Sequence, residues 1–196
     1  MSNKTNPKAK AKTSVTGRLL GGSLHSLPED EVLSKARYNA LLLLNEGQED
    51  KVNAIIAQAI ADKWGKKKPS GLAIWGVREG DDEEYPNTLG KLFINPKTKD
   101  KPPLVLKHQG KCSRITKDSG ILYRGCYVAL SISAYAMDAV KSKERTMPAT
   151  VSISLRAVFF LRDGDPLGDV VDVDTEFAEF EDSVLAEDID DFDDFD

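Results

Sequence analysis

Alternation with a period of two dominates the second half of the chain. In GILYRGCYVALSISAYAM (120–137), Cys126, Val128, Leu130, Ile132 and Ala134 fall on one face, and Tyr123, Tyr127, Ser131, Ser133 and Tyr135 on the other. In TVSISLRAVFFLRD (150–163), Val151, Ile153, Leu155, Ala157, Phe159 and Leu161 form an apolar face, backed by Ser152, Ser154, Arg156, Phe160 and Arg162. Successive side chains of a strand point to opposite faces, so each segment predicts a strand with one core side and one solvent side. KLFINP (91–96) then puts Leu92 and Ile94 inward and Lys91 and Phe93 outward, and PLVLK (103–107) adds another strand.

The first half is more mixed. SVTGRLL (14–20) reads as a strand, followed by turn signals at Gly21, Gly22 and Pro28. ARYNALLLL (36–44) is short enough for helix or strand, and the turn Asn45-Glu46-Gly47 favours strand. EDKVNAIIAQAIADKWGKKK (49–68) is helical. Val52, Ile55, Ile56, Ala59 and Ile60 recur at helical spacing, Trp64 continues the face, and Gly65 is a stop signal. Lys66, Lys67 and Lys68 suit a helix C-terminus. Residues 69–90 read as a long loop with one short strand at 72–77, and loops of that length are often functional. Together these elements predict a mainly β domain, a β-barrel with one principal helix, over residues 13–168.

Charge changes the picture at both ends. Residues 1–12 are Lys-rich without apolar periodicity and predict a flexible basic arm. Residues 163–196 hold 16 of the 32 acids and no base. Residues 1–162 hold the other 16 acids and all 27 bases, so the body carries +11 and the tail −16. Residues 169–196 are expected to be a disordered acidic tail. A basic body suits a polyanion, and an acidic tail competes for the same surface.

The chemistry of the faces narrows the ligand. A solvent face bearing Tyr123, Tyr127 and Tyr135, with Lys91, Phe93, Lys107, Arg156 and Arg162 on neighbouring strands, interleaves rings with cations. Single-stranded nucleic acid needs both, since bases stack on rings and cations follow the phosphates. The competing explanation places the tyrosines under a loop or in a dimer interface, with their hydroxyls reaching solvent.

Other chemistry is poorly supported. Leu89-Gly90-Lys91-Leu92 lacks the earlier glycine and the Ser/Thr of a phosphate-binding loop. RDGDPLGD has only Asp163 and Asp165 of a calcium loop. Asp81-Asp82-Glu83-Glu84 offers carboxylates for a metal-dependent nuclease without a recognisable nucleophile or base. Cys112, Cys126, His25 and His108 are too few and too scattered for a zinc site, and two reduced thiols are expected. No metal and no cofactor are expected. No apolar run approaches a membrane span, and the start lacks the apolar core of a secretory signal.

The last ten residues, EDIDDFDDFD, set Ile189, Phe192 and Phe195 three apart among seven acids. A solubilising tail would explain the acids but not the rings. Apolar anchors steered by carboxylates suit a groove on a protein partner.

The order GKLFINPKT, PPLVLK, LYRGCYVALSISAYA and VFFLRDGDPLG resembles the bacteriophage single-stranded DNA-binding proteins of the small OB-fold type, over about residues 13–168. The Tyr123-Arg124-Gly125-Cys126-Tyr127 strand and Arg162-Asp163-Gly164-Asp165-Pro166-Leu167-Gly168 carry the likeness. The resemblance implies an OB-fold, binding of single-stranded DNA without sequence preference, and a tail that contacts replication proteins such as a polymerase, helicase or primase. It implies no catalysis and no cofactor. The chain departs from the usual replication-protein tail in ending on Asp196, with Phe195 one residue inside. The expected setting is phage replication or recombination in the cytoplasm of a bacterial host, with self-association left open. The alternatives are a replication scaffold whose sheet binds proteins and a metal-dependent nuclease. The contact residues named above come from alternation, not from the resemblance.

Overall fold

The computed structural model describes residues 11–28, 36–81, 88–108, 110–141 and 146–167. The chain divides into Met1–Pro166 and Leu167–Asp196; the fold below belongs to the first unit. The expected acidic tail, with Ile189, Phe192 and Phe195, lies outside the described residues, as do residues 1–10 of the expected arm. Ala11 packs against the core and Lys12 opens a strand, so the sheet begins two residues earlier than expected.

The elements run β1 (Lys12–Gly21), β2 (Tyr38–Asn39), β3 (Leu41–Leu44), α1 (Glu49–Trp64), β4 (Ala73–Trp75), β5 (Arg78–Glu79), β6 (Leu92–Ile94) and β7 (Lys97–Thr98). They continue with β8 (Leu104–His108), β9 (Lys111–Arg114), β10 (Tyr127–Met137), β11 (Val140–Lys141), β12 (Thr146–Met147) and β13 (Thr150–Arg162). Pairing closes a ring. β13 pairs β10, β10 pairs β1, β1 pairs β3, β3 pairs β6 and β6 pairs β5, while β4 returns to β13. The stretch from β4 to β5 thus bridges both ends of the sheet. It turns at Gly76, where a Cβ would collide with Ile56 Cδ1 of α1. This is the expected class, a mainly β barrel of OB type with one principal helix.

Helix α1 supplies one side of the core. Val52, Ile55, Ile56 and Ala59 are its buried face, packed in one cluster with Leu130, Ile132, Val151 and Ile153. Glu49 and Asp50 at its start and Lys63 at its end complement the helix dipole, and Gly65 N–H closes it on Ala61 O at 2.9 Å. Asp138, just past β10, accepts from Trp64 Nε1 at 2.8 Å and pairs with Lys63 Nζ at 2.6 Å. Those hydrogen bonds, Lys63 first, hold its carboxyl below the ordinary range.

The inward face of β10 is as expected, with Cys126, Val128, Leu130, Ile132 and Ala134 all buried, but Ser133, expected on the solvent side, is buried as well. The alternation of β13 holds only to Leu155. Ile132 pairs Leu155 but Ser131 pairs Ala157, so Arg156 is an extra residue in a bulge and the phase reverses beyond it. Val158 is buried and Phe160 packs on the core, whereas Leu161, expected inside, is exposed. Ala157 and Phe159 move with it to the outer face, opposite Ser131 and Ala129. Cys112 is exposed and Cys126 buried, both free, and burial pushes the Cys126 thiol up.

Candidate nucleic-acid interface

With α1 filling the inside, the outer face of the sheet is the surface left for a ligand. Its residues follow from register, because directly opposed positions share a face. Trp75 stands opposite Ser152, and Ser152 opposite Tyr135. One row along, Lys97 opposes Ser154, Ser154 opposes Ser133 and Ser133 opposes Lys12. Further along, Arg114, Val105, Phe159, Ala129 and Thr16 align, and the last row brings Arg18, Tyr127 and Arg162 together. Tyr127 and Tyr135 are eight residues apart on β10, about 26 Å at strand rise.

At one end lies a groove of about 620 Å³. Trp75, Tyr135, Met137 and Met147 supply its apolar walls, Thr150 and Ser152 its small polar floor, and Arg78 and Lys97 its cations. Trp75 is 59% exposed, an unusual position for an indole, with Met137 of the groove also exposed. At the other end the Arg162 guanidinium lies 3.6 Å from the centre of the Tyr127 ring.

Charge follows the same face. β1, β8, β9, β10 and β13 contain no Asp or Glu, yet carry Lys12, Arg18, Lys107, Arg114, Arg156 and Arg162, with Lys111 in the opposite phase of the β8–β9 pair. A surface with rings at both ends and only cations between attracts a phosphate backbone and offers faces for bases.

The residues expected from alternation divide into three groups. Tyr135, Arg156, Arg162 and Lys107 lie on these strands, Tyr135 in the groove and the other three exposed. Tyr127 is there too, half-buried beneath Arg162. Lys91 is exposed but precedes β6, away from the five acid-free strands.

Phe93 and Tyr123 require correction. Phe93 is 2% exposed, not a solvent-facing ring. Leu43 and Arg78 flank it on the adjacent strands, and the Arg78 guanidinium covers it at 4.8 Å from the ring centre. Tyr123 precedes β10 and packs on the core; its hydroxyl lies 2.9 Å from Gly164 O and 3.1 Å from Asp163 Oδ1 and accepts from Gly164 N–H at 3.0 Å. It fastens the segment after β13 rather than facing solvent from the strand.

Trp75, Arg78, Lys97 and Arg18 were not among the expected site residues. The local signal for Trp75 was an apolar Ala73-Ile74-Trp75 run between Gly71 and Gly76 in an otherwise polar stretch. Among the described residues no group of three or more His, Cys, Asp or Glu is gathered to hold a metal ion, and no helix is long and apolar enough to cross a membrane. Asp82, Glu83 and Glu84 of the acidic loop lie outside the described residues.

Comparison with known proteins places this geometry in a class. Residues 26–190 match the family described as Enterobacter phage Enc34, ssDNA-binding protein, and the chain belongs to that family. It is 30% identical over 167 residues to protein p50 of Acyrthosiphon pisum secondary endosymbiont phage 1, covering 77% of this chain and 82% of the relative. Among solved structures it is similar to the single-stranded DNA-binding protein from bacteriophage Enc34 in complex with ssDNA, with TM-score 0.62 and 16% identity, covering 85% of this chain and 100% of the other. A second structure of the Enc34 protein matches with TM-score 0.56 and 18% identity, over 85% of this chain and 88% of that one. At these identities the structural likeness establishes a shared fold.

Proposed function

We infer that this protein binds single-stranded DNA without sequence preference across the outer face of its barrel, coating and protecting exposed strands during phage replication or recombination, without catalysing a reaction. The observation that carries the reading is the acid-free sheet face ending in the Trp75–Tyr135 groove. Family membership supports it independently. Bases would stack on the exposed indole while Lys97, Arg156 and Lys107 track phosphates.

The test is a fluorescence titration with oligo(dT), duplex DNA and RNA at several salt concentrations. Tight oligo(dT) binding is expected, weaker for duplex, with affinity falling by about 0.7 log units per log unit of salt for each phosphate contacted. Equal affinity for duplex and single strand would remove stacking from the account.

The acidic tail extends the reading. Ile189, Phe192 and Phe195 would anchor a replication protein while the carboxylates screen the basic face. Deleting residues 187–196 should tighten oligo(dT) binding, most at low salt, and lose the partner. Phe192→Ala with Phe195→Ala should lose only the partner, and full recruitment by that double variant would leave the rings without a role. The exposed Trp75 and Met137 of the groove favour a second reading, a replication scaffold that binds protein on this face. A Trp75→Ala variant with unchanged oligo(dT) affinity would favour the scaffold.

A further inference from the structure

We propose that Tyr127 serves the interface through Arg162: the ring backs the guanidinium, and the guanidinium's open face is the platform on which a nucleobase stacks. This rests on the single-stranded DNA reading above. Tyr127 is therefore a positioning residue, and Arg162 the one that touches the ligand.

Four observations lead there. First, the ring is already occupied, with the Arg162 guanidinium 3.6 Å from its centre, well inside cation–π range. Second, strand register produces the pair. Val128 opposes Phe160 but Tyr127 opposes Arg162, so Leu161 is an extra residue that brings Arg162 opposite the ring. Third, the chain beyond is fastened so that this placement lasts. Tyr123 holds Gly164 and Asp163 through its hydroxyl, and Arg162 Nη1 donates to Asp163 O at 3.2 Å. Gly164 sits so close to the ring that a Cβ there would lie 2.9 Å from Tyr127 Cε2, leaving little freedom to shift. Fourth, the neighbouring cation is engaged elsewhere. Arg18, opposite Tyr127 on β1, donates through Nε to Gly125 O at 3.0 Å and through Nη2 to Asp165 O.

Arg162 itself is exposed, while the ring beneath is half-buried. A planar guanidinium backed by a ring keeps its second face for a base, and Arg planes stack bases as aromatic rings do. Lysine matches the charge but has no plane.

A double-mutant cycle on the full-length chain separates the roles, with oligo(dT) affinity and its salt slope as readouts. Tyr127→Leu should weaken binding about tenfold, within the range for one stacked base. In an Arg162→Ala background the same change should cost less than about twofold, since interacting residues are not additive. Arg162→Lys should lose a similar factor with its salt slope unchanged.

Losses that multiply would overturn the inference, because Tyr127 would then hold a base by itself. So would Arg162→Lys binding like the parent, and that variant bears on the question even if Tyr127→Leu fails to fold, since it alters only an exposed side chain. A parent protein that does not bind oligo(dT) sinks the DNA reading and the inference with it; parental binding with independent losses sinks the inference alone.

Discussion

Trp75→Ala removes the most exposed large ring of the groove without opening the core. The indole is 59% exposed, so its truncation should change folding stability by no more than about 0.5 kcal/mol, as for most surface substitutions. If a base stacks on it, the loss of binding should be about 1–3 kcal/mol, or roughly 5- to 150-fold in Kd. The chain has two tryptophans, which makes the assay specific. Trp64 is half-buried, with its N–H on Asp138 at 2.8 Å, on the helix rather than in the groove. Fluorescence quenching by oligo(dT) should therefore survive Trp64→Phe and largely vanish in Trp75→Phe. Thermal melting of Trp75→Ala, run alongside, should overlay the parent. Quenching that persists in Trp75→Phe, or a Trp75→Ala variant that binds like the parent, would refute the groove as a stacking site.

Other substitutions test the framework beneath the interface. Phe93→Ala should act on stability, by about 3–5 kcal/mol in denaturant melts as for a buried Phe, and a variant as stable as the parent would put the ring back on the surface. Gly17→Ala should cost about 1–3 kcal/mol as an overpacked site, because its Cβ would run into Leu43 O on the paired strand β3; an unchanged melting temperature would mean that β1 and β3 do not pair there. His25 has its pKa lowered below 6.5, first by burial and then by Lys101 and Lys117. The unfolded chain thus binds more protons in mild acid, so its contribution is full above 6.5 and is lost as pH falls through 6.5 toward the folded value. Melts of the parent and His25→Gln across that window should converge above it and diverge below, and parallel curves would contradict the assignment.

The parts of the fold that local chemistry dictates were legible. Val52, Ile55, Ile56 and Ala59 repeat at helical spacing and are the buried face of α1, and the period-two face from Cys126 to Ala134 is buried throughout. The misreadings arose where a distant partner decides. Alternation continues through a bulge on paper, but the extra residue Arg156 reverses it on β13, and only the register against β10 reveals that. Phe93 does lie opposite in phase to the core residue Ile94, yet that phase cannot report that Arg78 and Leu43 lie beside its ring. Trp75 acquires its position from pairing with Ser152, far along the chain.

One signal for the interface is local. The chain holds 32 acids, enough to place several on any set of solvent-facing strands. Yet the segments forming β1, β8, β9, β10 and β13 carry none, while acids are permitted in α1, at the end of β5 and beyond β13. An exposed strand normally tolerates either sign of charge, so burial does not explain exclusion of one sign from five strands that keep seven cations. Repulsion of a polyanionic ligand does explain it, because one carboxylate beside a phosphate path opposes binding about as much as one lysine favours it. The same logic accounts for the half-buried serines at 131, 152 and 154 on the strands between the ring-bearing ends. Small neutral side chains leave the cations and rings unobstructed, where larger polar ones would lift a bound strand off the sheet.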